Sequence, residues 1–143
     1  MENSNRKFLP TFSDLVDRLS ICLLKSIFIP KNKKQYLEEI NLIKHDIDLI
    51  SKEEGVKSSA NLIWATMIIM LSNRYIWENE SNARNGEDQN LKLLKLTHSI
   101  NGVRNNAKNL LSKELGERVD LKTDCLAAEL KSEFQNWDIF DND

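Results

Sequence analysis

Glycine and proline are scarce: four and two of 143 residues, with both prolines before residue 31. Beyond Pro30 nothing marks a long linker, which argues for a single domain. Two cysteines, Cys22 and Cys125, are too few for a disulfide framework or a zinc site, and both read as free thiols in a reducing cytosol. An excess of one charge is missing as well. A net charge of -2 gives no global electrostatic footprint of the kind nucleic-acid binders carry, so no nucleic-acid partner is expected. The longest apolar run stops at Ser72, well short of the roughly 20 residues of a membrane span. Met1 to Pro10 lacks the apolar core of a signal peptide, and the expectation is a soluble, cytoplasmic protein with no membrane partner.

What the chain does have is helical periodicity. A first helix is predicted from Thr11–Ser13 to just before Pro30, with Thr11 and Asp14 at capping-box spacing. Leu15, Val16, Leu19, Cys22, Leu23 and Ile27 form its apolar face, while Asp14, Asp17, Arg18 and Lys25 gather on the other side. A second helix over Lys33–Glu53 carries a seam of Tyr36, Ile40, Ile43, Ile47 and Ile50, with Asn32 and Gln35 as its capping box. The third, Ser58 to Gly86, is the centre of the chain. Its first half is apolar almost all round, so Trp64, Met67 and Met70 read as core, and Thr66, Met70, Asn73, Trp77, Glu80 and Arg84 line up along one side. The fourth runs from about Leu91 to Lys113. There Leu93, Leu96, Ile100, Val103, Ala107 and Leu110 make a core seam, bordered by Thr97, Asn101, Arg104 and Lys108 with His98 and Asn105 beside them.

Short connections place successive helices antiparallel. The fold expected is therefore all-α, an antiparallel up-down four-helix bundle over residues 1–116 with a C-terminal extension, 117–143, partly helical or flexible. Opposite charges then fall at matching heights: Asp14 and Asp17 near Arg104 and Lys108, Lys25 near Glu80, and Asn73 level with Asn101. Two readings follow. The polar stripes are a self-satisfied network that fixes helix register, or they line a cleft whose Arg18, Arg84, Arg104 and Lys108 exceed what the carboxylates need and hold an anionic ligand. In that second reading Asn73, Asn101 and Asn105 orient hydroxyls, and Trp77 packs or offers an edge to the ligand.

No complete catalytic constellation is present. No Ser or Cys nucleophile stands out beside His98, and Asp14 and Asp17 with Glu78 and Glu80 further on do not reproduce the paired Glu-x-x-Glu arrangement of helical magnesium-dependent nucleotide pyrophosphatases, since Glu78 and Glu80 are only two residues apart. No metal or cofactor is implied. The surplus apolar surface of Ile68, Ile69 and Leu71 points to a homodimer. Trp137, Ile139 and Phe140 among aspartates suit a flexible tail or a segment that docks on a partner.

Three stretches also carry a likeness: Ser13-Asp14-Leu15-Val16-Asp17-Arg18-Leu19-Ser20-Ile21 followed by Leu24-Lys25, then Asn73-Arg74-Tyr75-Ile76-Trp77-Glu78-Asn79-Glu80, then Ile100-Asn101-Gly102-Val103-Arg104-Asn105. From about Phe12 to Lys122 the chain resembles a small all-helical bacterial family of unknown function found in polysaccharide and lipopolysaccharide biosynthesis loci. Members place two acids together after the Trp, whereas this chain has Glu80 followed by Ser81. The resemblance implies surface-glycan assembly as a setting and Asp14, Asp17, Arg18, Asn73, Trp77, Glu80, Asn101 and Arg104 as the positions to test. Two functions are carried forward: a non-catalytic accessory or interaction protein, and a binder of, or enzyme acting on, a nucleotide, sugar phosphate or nucleotide sugar.

Overall fold

The computed structural model describes residues 7–85 and 90–119, without the side chains of 83–85, 90–91 and 93–94. Within these bounds the chain forms four helices and no strand: α1 (Phe12–Phe28), α2 (Lys33–Glu54), α3 (Ala60–Asn85) and α4 (Asn90–Leu115). The expected tail beyond Val119, with Cys125, Trp137, Ile139 and Phe140, and the expected stop at Gly86 lie outside the described residues.

Local chemistry sets most of the helix ends. At α1, the Thr11 hydroxyl accepts from the Asp14 amide at 3.2 Å and the Asp14 carboxylate accepts from the Thr11 amide at 3.1 Å, a complete capping box. Glu117, more than a hundred residues away, adds a carboxylate to the same helix end, accepting from the amides of Phe12 at 2.6 Å and Ser13 at 3.4 Å. Burial raises the Glu117 pKa even against those two bonds. At α3, the Ser59 hydroxyl accepts from the Leu62 amide at 3.1 Å. The box expected at Asn32 does not form. A 3-10 turn over Pro30–Asn32 feeds directly into α2 and leaves Asn32 at φ -112, ψ 22, not the extended conformation from which a side chain reaches back over the first turn.

Gly55 closes α2 at φ 62, with its amide and that of Val56 both donating to the Ser51 carbonyl. A Cβ there would meet nothing within 4 Å. Gly55→Ala is therefore expected to cost only the left-handed backbone, about 1–2 kcal/mol by urea unfolding.

Contacts between the helices fix their directions. Asp14 meets Lys108 and Ser13 meets Ser112, so α1 and α4 are antiparallel; Asp17 meets Asn73 and Phe28 meets Trp77, so α1 and α3 run the same way. Arg18 with Glu39 and Lys25 with Tyr36 set α2 against α1. The up-down-up-down order holds, but the bundle is uneven. The α3–α4 pair is the most extensive contact, α1 packs on all three other helices, and α2 leans chiefly on α1.

Phe12, Val16, Ala65, Ile69, Ala107 and Leu111 form the buried core, with Ile47, Ile50, Leu62 and Ile68 packed around it. Three expectations are corrected here. Ile69 is fully buried within the single chain, so it belongs to the core and not to a subunit contact. Trp64 and Met67 are exposed, because α3 turns Ala65, Ile69, Ser72, Asn73 and Ile76 inward and these two occupy the opposite side. On α4 the inward side is the polar one: Thr97, Lys108 and Ser112 are buried alongside Ala107 and Leu111, while Val103, Leu96 and Leu110 are left partly in solvent.

Candidate functional site

The hydrophilic edges of α1, α3 and α4 do meet, and where they meet they divide into a closed lower part and an open upper part. In the lower part Lys108, with a side chain only 9% exposed, lies 3.0 Å from Asp14 and 3.3 Å from Asp17. Asn73 links this pair to the next level: its amide nitrogen donates to the Asp17 carboxylate at 2.7 Å and to the Ser20 hydroxyl, while its carbonyl oxygen accepts from the Arg104 guanidinium at 2.9 Å. Arg118 approaches Asp14 from below at 3.7 Å, and the hydroxyls of Ser13 and Ser112 bond at 2.8 Å. Every one of these groups has a partner. This half is the self-satisfied network, and Lys108 is spent in it.

Burial works against the Asp14 carboxylate, but the Thr11 amide and the Lys108 ammonium outweigh it and hold its pKa below the usual aspartate value. A pKa lower in the folded than in the unfolded chain adds stability at neutral pH, and this contribution is lost as the pH falls through the aspartate range and below. Unfolding midpoints measured between about pH 7 and pH 3 are expected to fall at the acid end, and Asp14→Asn to flatten that part of the profile.

Above the network the helices part around a cavity of about 400 Å³, lined by Ile21, Leu24, Lys25, Asn73, Ile76, Trp77, Glu80, Asn101 and Arg104. Its lining is mixed. Ile21, Leu24 and Ile76 are apolar, and Trp77 stacks on Phe28, ring centroids 6.1 Å apart. Arg104, Lys25, Asn101 and Asn73 are polar, with Glu80 as the one carboxylate against two cations. Arg104 is the least satisfied of these. It bonds Asn73 through one terminal nitrogen, its Nε is buried with no hydrogen-bond partner, and among the described residues no carboxylate comes within ion-pair distance of it. Arg104 lines the cavity with only one terminal nitrogen bonded, which leaves guanidinium donors for a ligand oxyanion.

Five candidates therefore line this cavity: Asn73, Trp77, Glu80, Asn101 and Arg104. Asp14, Asp17 and Lys108 lie beneath it as its support. Arg18 is removed from the site, since its side chain is 64% exposed on the far side of α1, where it pairs with Glu39 at 2.8 Å. That position faces α2, which the charge-height argument did not include. Asn105 is half-buried but does not line the cavity, and neither does His98. The Arg84 side chain lies outside those described. Asn73 and Asn101 share the cavity without bonding each other, because the Asn73 amide is already engaged by Asp17, Ser20 and Arg104.

The candidates read from the sequence did not include Lys25, which was matched only to Glu80, nor Ser20 or the apolar lining. Ser13, Asp17, Ser20 and Leu24 follow steps of four, three and four along α1, and three short polar side chains in such a row were the available sign that this face is turned inward beside other polar groups. Cys22 is a buried thiol whose pKa is pushed up by its burial and by nearby Glu39, the environment of a packing residue and not of a nucleophile. Among the described residues no three His, Cys, Asp or Glu side chains come together as a metal site, and no helix is long and apolar enough to cross a membrane. Comparison of the chain with family models, with curated proteins and with solved structures finds no match.

Proposed function

We propose that the protein binds a small metabolite carrying a phosphate or carboxylate, held with its anionic group on Arg104 and Lys25 and its body against Trp77, Ile21 and Ile76. The observation that carries this reading is the half-buried Arg104 guanidinium, which lines the cavity with one terminal nitrogen bonded to Asn73 and, among the described residues, no carboxylate to neutralise it. Guanidinium geometry suits two parallel bonds to an oxyanion, and the cavity is of the size that takes a small ligand. Asn101 supplies an amide for hydroxyl groups. Nucleotides, sugar phosphates and nucleotide sugars combine these features, and the last of them fits the surface-glycan setting that the resemblance implies. The site holds no nucleophile and general base in contact, so the reading is binding, without a reaction assigned to it.

Thermal denaturation with a panel of these compounds tests it. A ligand present at 100 times its dissociation constant adds about 2.7 kcal/mol and raises the melting temperature by several degrees. Absence of any shift across the panel at millimolar concentrations would remove the reading.

A second reading, an accessory protein that works through an interaction surface, is favoured by a different observation: a row of large apolar side chains exposed on α3, with no charge among them between Ser58 and Asn73.

A further inference from the structure

We infer that the protein self-associates through α3, forming a two-fold dimer in which the exposed apolar row of one copy packs against the same row of a second copy running the opposite way. The row consists of Ile63, Trp64, Met67, Leu71 and Tyr75, between 45% and 68% exposed. It rests on an observation separate from the cavity and stands or falls without it.

These five positions recur at helical spacing on the side of α3 directly opposite Ala65, Ile69 and Ile76, which fill the core. Nothing else in the described chain covers them. Together they leave on the order of 500–600 Å² of mostly apolar surface per copy, counting about half of each large side chain, and this is most of the roughly 800 Å² per partner that a standard stable interface buries.

The composition of the row selects its occupant. From Ser58 to Asn73 there is no Lys, Arg, Asp or Glu, so Ile63, Trp64, Met67 and Leu71 offer no charge to match a charged partner; Lys57 and Arg74 bound the stretch, and Arg74 is engaged over the Phe28 ring at 4.7 Å. A neutral row, by contrast, meets its own copy with no like-charge opposition, which is the requirement of an isologous contact. A two-fold axis near Met67 sets Met67 against its counterpart and Ile63 opposite Leu71. Exposed leucines on α2 do not form such a surface: Leu37, Leu42 and Leu49 have Glu38, Lys44, Asp46 and Asp48 among and beside them.

Sedimentation equilibrium on the full chain at about 1 to 100 µM is the test, and the expected result is a species of twice the chain's 16.6 kDa. Met67→Glu and Leu71→Glu, both at positions already open to water in the single chain, are expected to weaken the dimer at least 100-fold with helical circular dichroism unchanged. Leu42→Glu on α2 should leave it intact. A wild-type chain that stays at 16.6 kDa throughout overturns the inference, as does a dimer that survives both α3 substitutions or one that only Leu42→Glu dissociates. A monomer that co-sediments with phosphatidylglycerol vesicles would assign the row to lipid and overturn it equally.

Discussion

Lys108→Met is expected to lower the unfolding free energy by about 2–4 kcal/mol. The ammonium sits 3.0 Å from Asp14 and 3.3 Å from Asp17, with its side chain almost wholly removed from water. Methionine fills nearly the same space, so the effect is one of charge: two carboxylates on α1 lose their shared cation, and Arg118, 3.7 Å from Asp14, relieves only one of them. Partial exposure of both aspartates keeps the estimate at the lower side of what breaking a buried pair costs. At about 2–4 °C per kcal/mol the melting temperature falls by roughly 10 °C. Adding Asp17→Asn to Lys108→Met should recover part of this, because it removes one of the charges left alone, whereas Asp17→Asn by itself should be destabilising. A loss under about 1 kcal/mol would mean that the cluster behaves as a surface ion pair.

Arg104→Met separates binding from support. Two charge-assisted hydrogen bonds from a guanidinium to an oxyanion are worth about 1.5–3 kcal/mol each, so the dissociation constant of whichever panel compound gives the largest thermal shift should rise at least 100-fold. The unliganded protein should change far less. The Asn73 carbonyl loses its donor, at about 1–2 kcal/mol, but the unmatched Nε disappears with it. Lys25→Met should weaken the same ligand by a smaller factor, since a flexible ammonium near the rim gives one bond and not two. Isothermal titration against both variants distinguishes the outcomes. Undiminished affinity in Arg104→Met, with a melting temperature lowered as far as by Lys108→Met, would make Arg104 another member of the structural network.

How much of this was legible beforehand differs from helix to helix. The bounds of α1 and α2 and the Thr11 box follow from bonds within three or four residues, so local pattern was enough. Matching charges by their height along antiparallel helices brought Asp14 and Asp17 to Lys108 correctly, because rise per residue is fixed and the loops are short. Rotation of each helix about its axis is not fixed in that way. On α4 the apolar seam and the polar stripe lie only about 100° apart, and the burial of Thr97, Lys108 and Ser112 depends on where α1 and α3 sit, which no residue of α4 records. The same holds for Arg18, drawn away to Glu39 by a helix that the charge argument left out. On α3, a segment apolar on every side gives no direction at all; the side that faces inward is the one carrying Ser72 and Asn73, where Asn73 bonds Asp17.

The clasp of Glu117 on the amides of Phe12 and Ser13 has a consequence for how the chain matures. α1 is completed by residues made about a hundred positions later: its opening amides wait for Glu117, and its two aspartates wait for Lys108. Until α4 has emerged, α1 carries two uncompensated acids along a flank meant for the interior. Native assembly of this bundle is thus deferred until α4 has been made, and an interrupted chain ending before Lys108 is left without the cation that lets α1 dock.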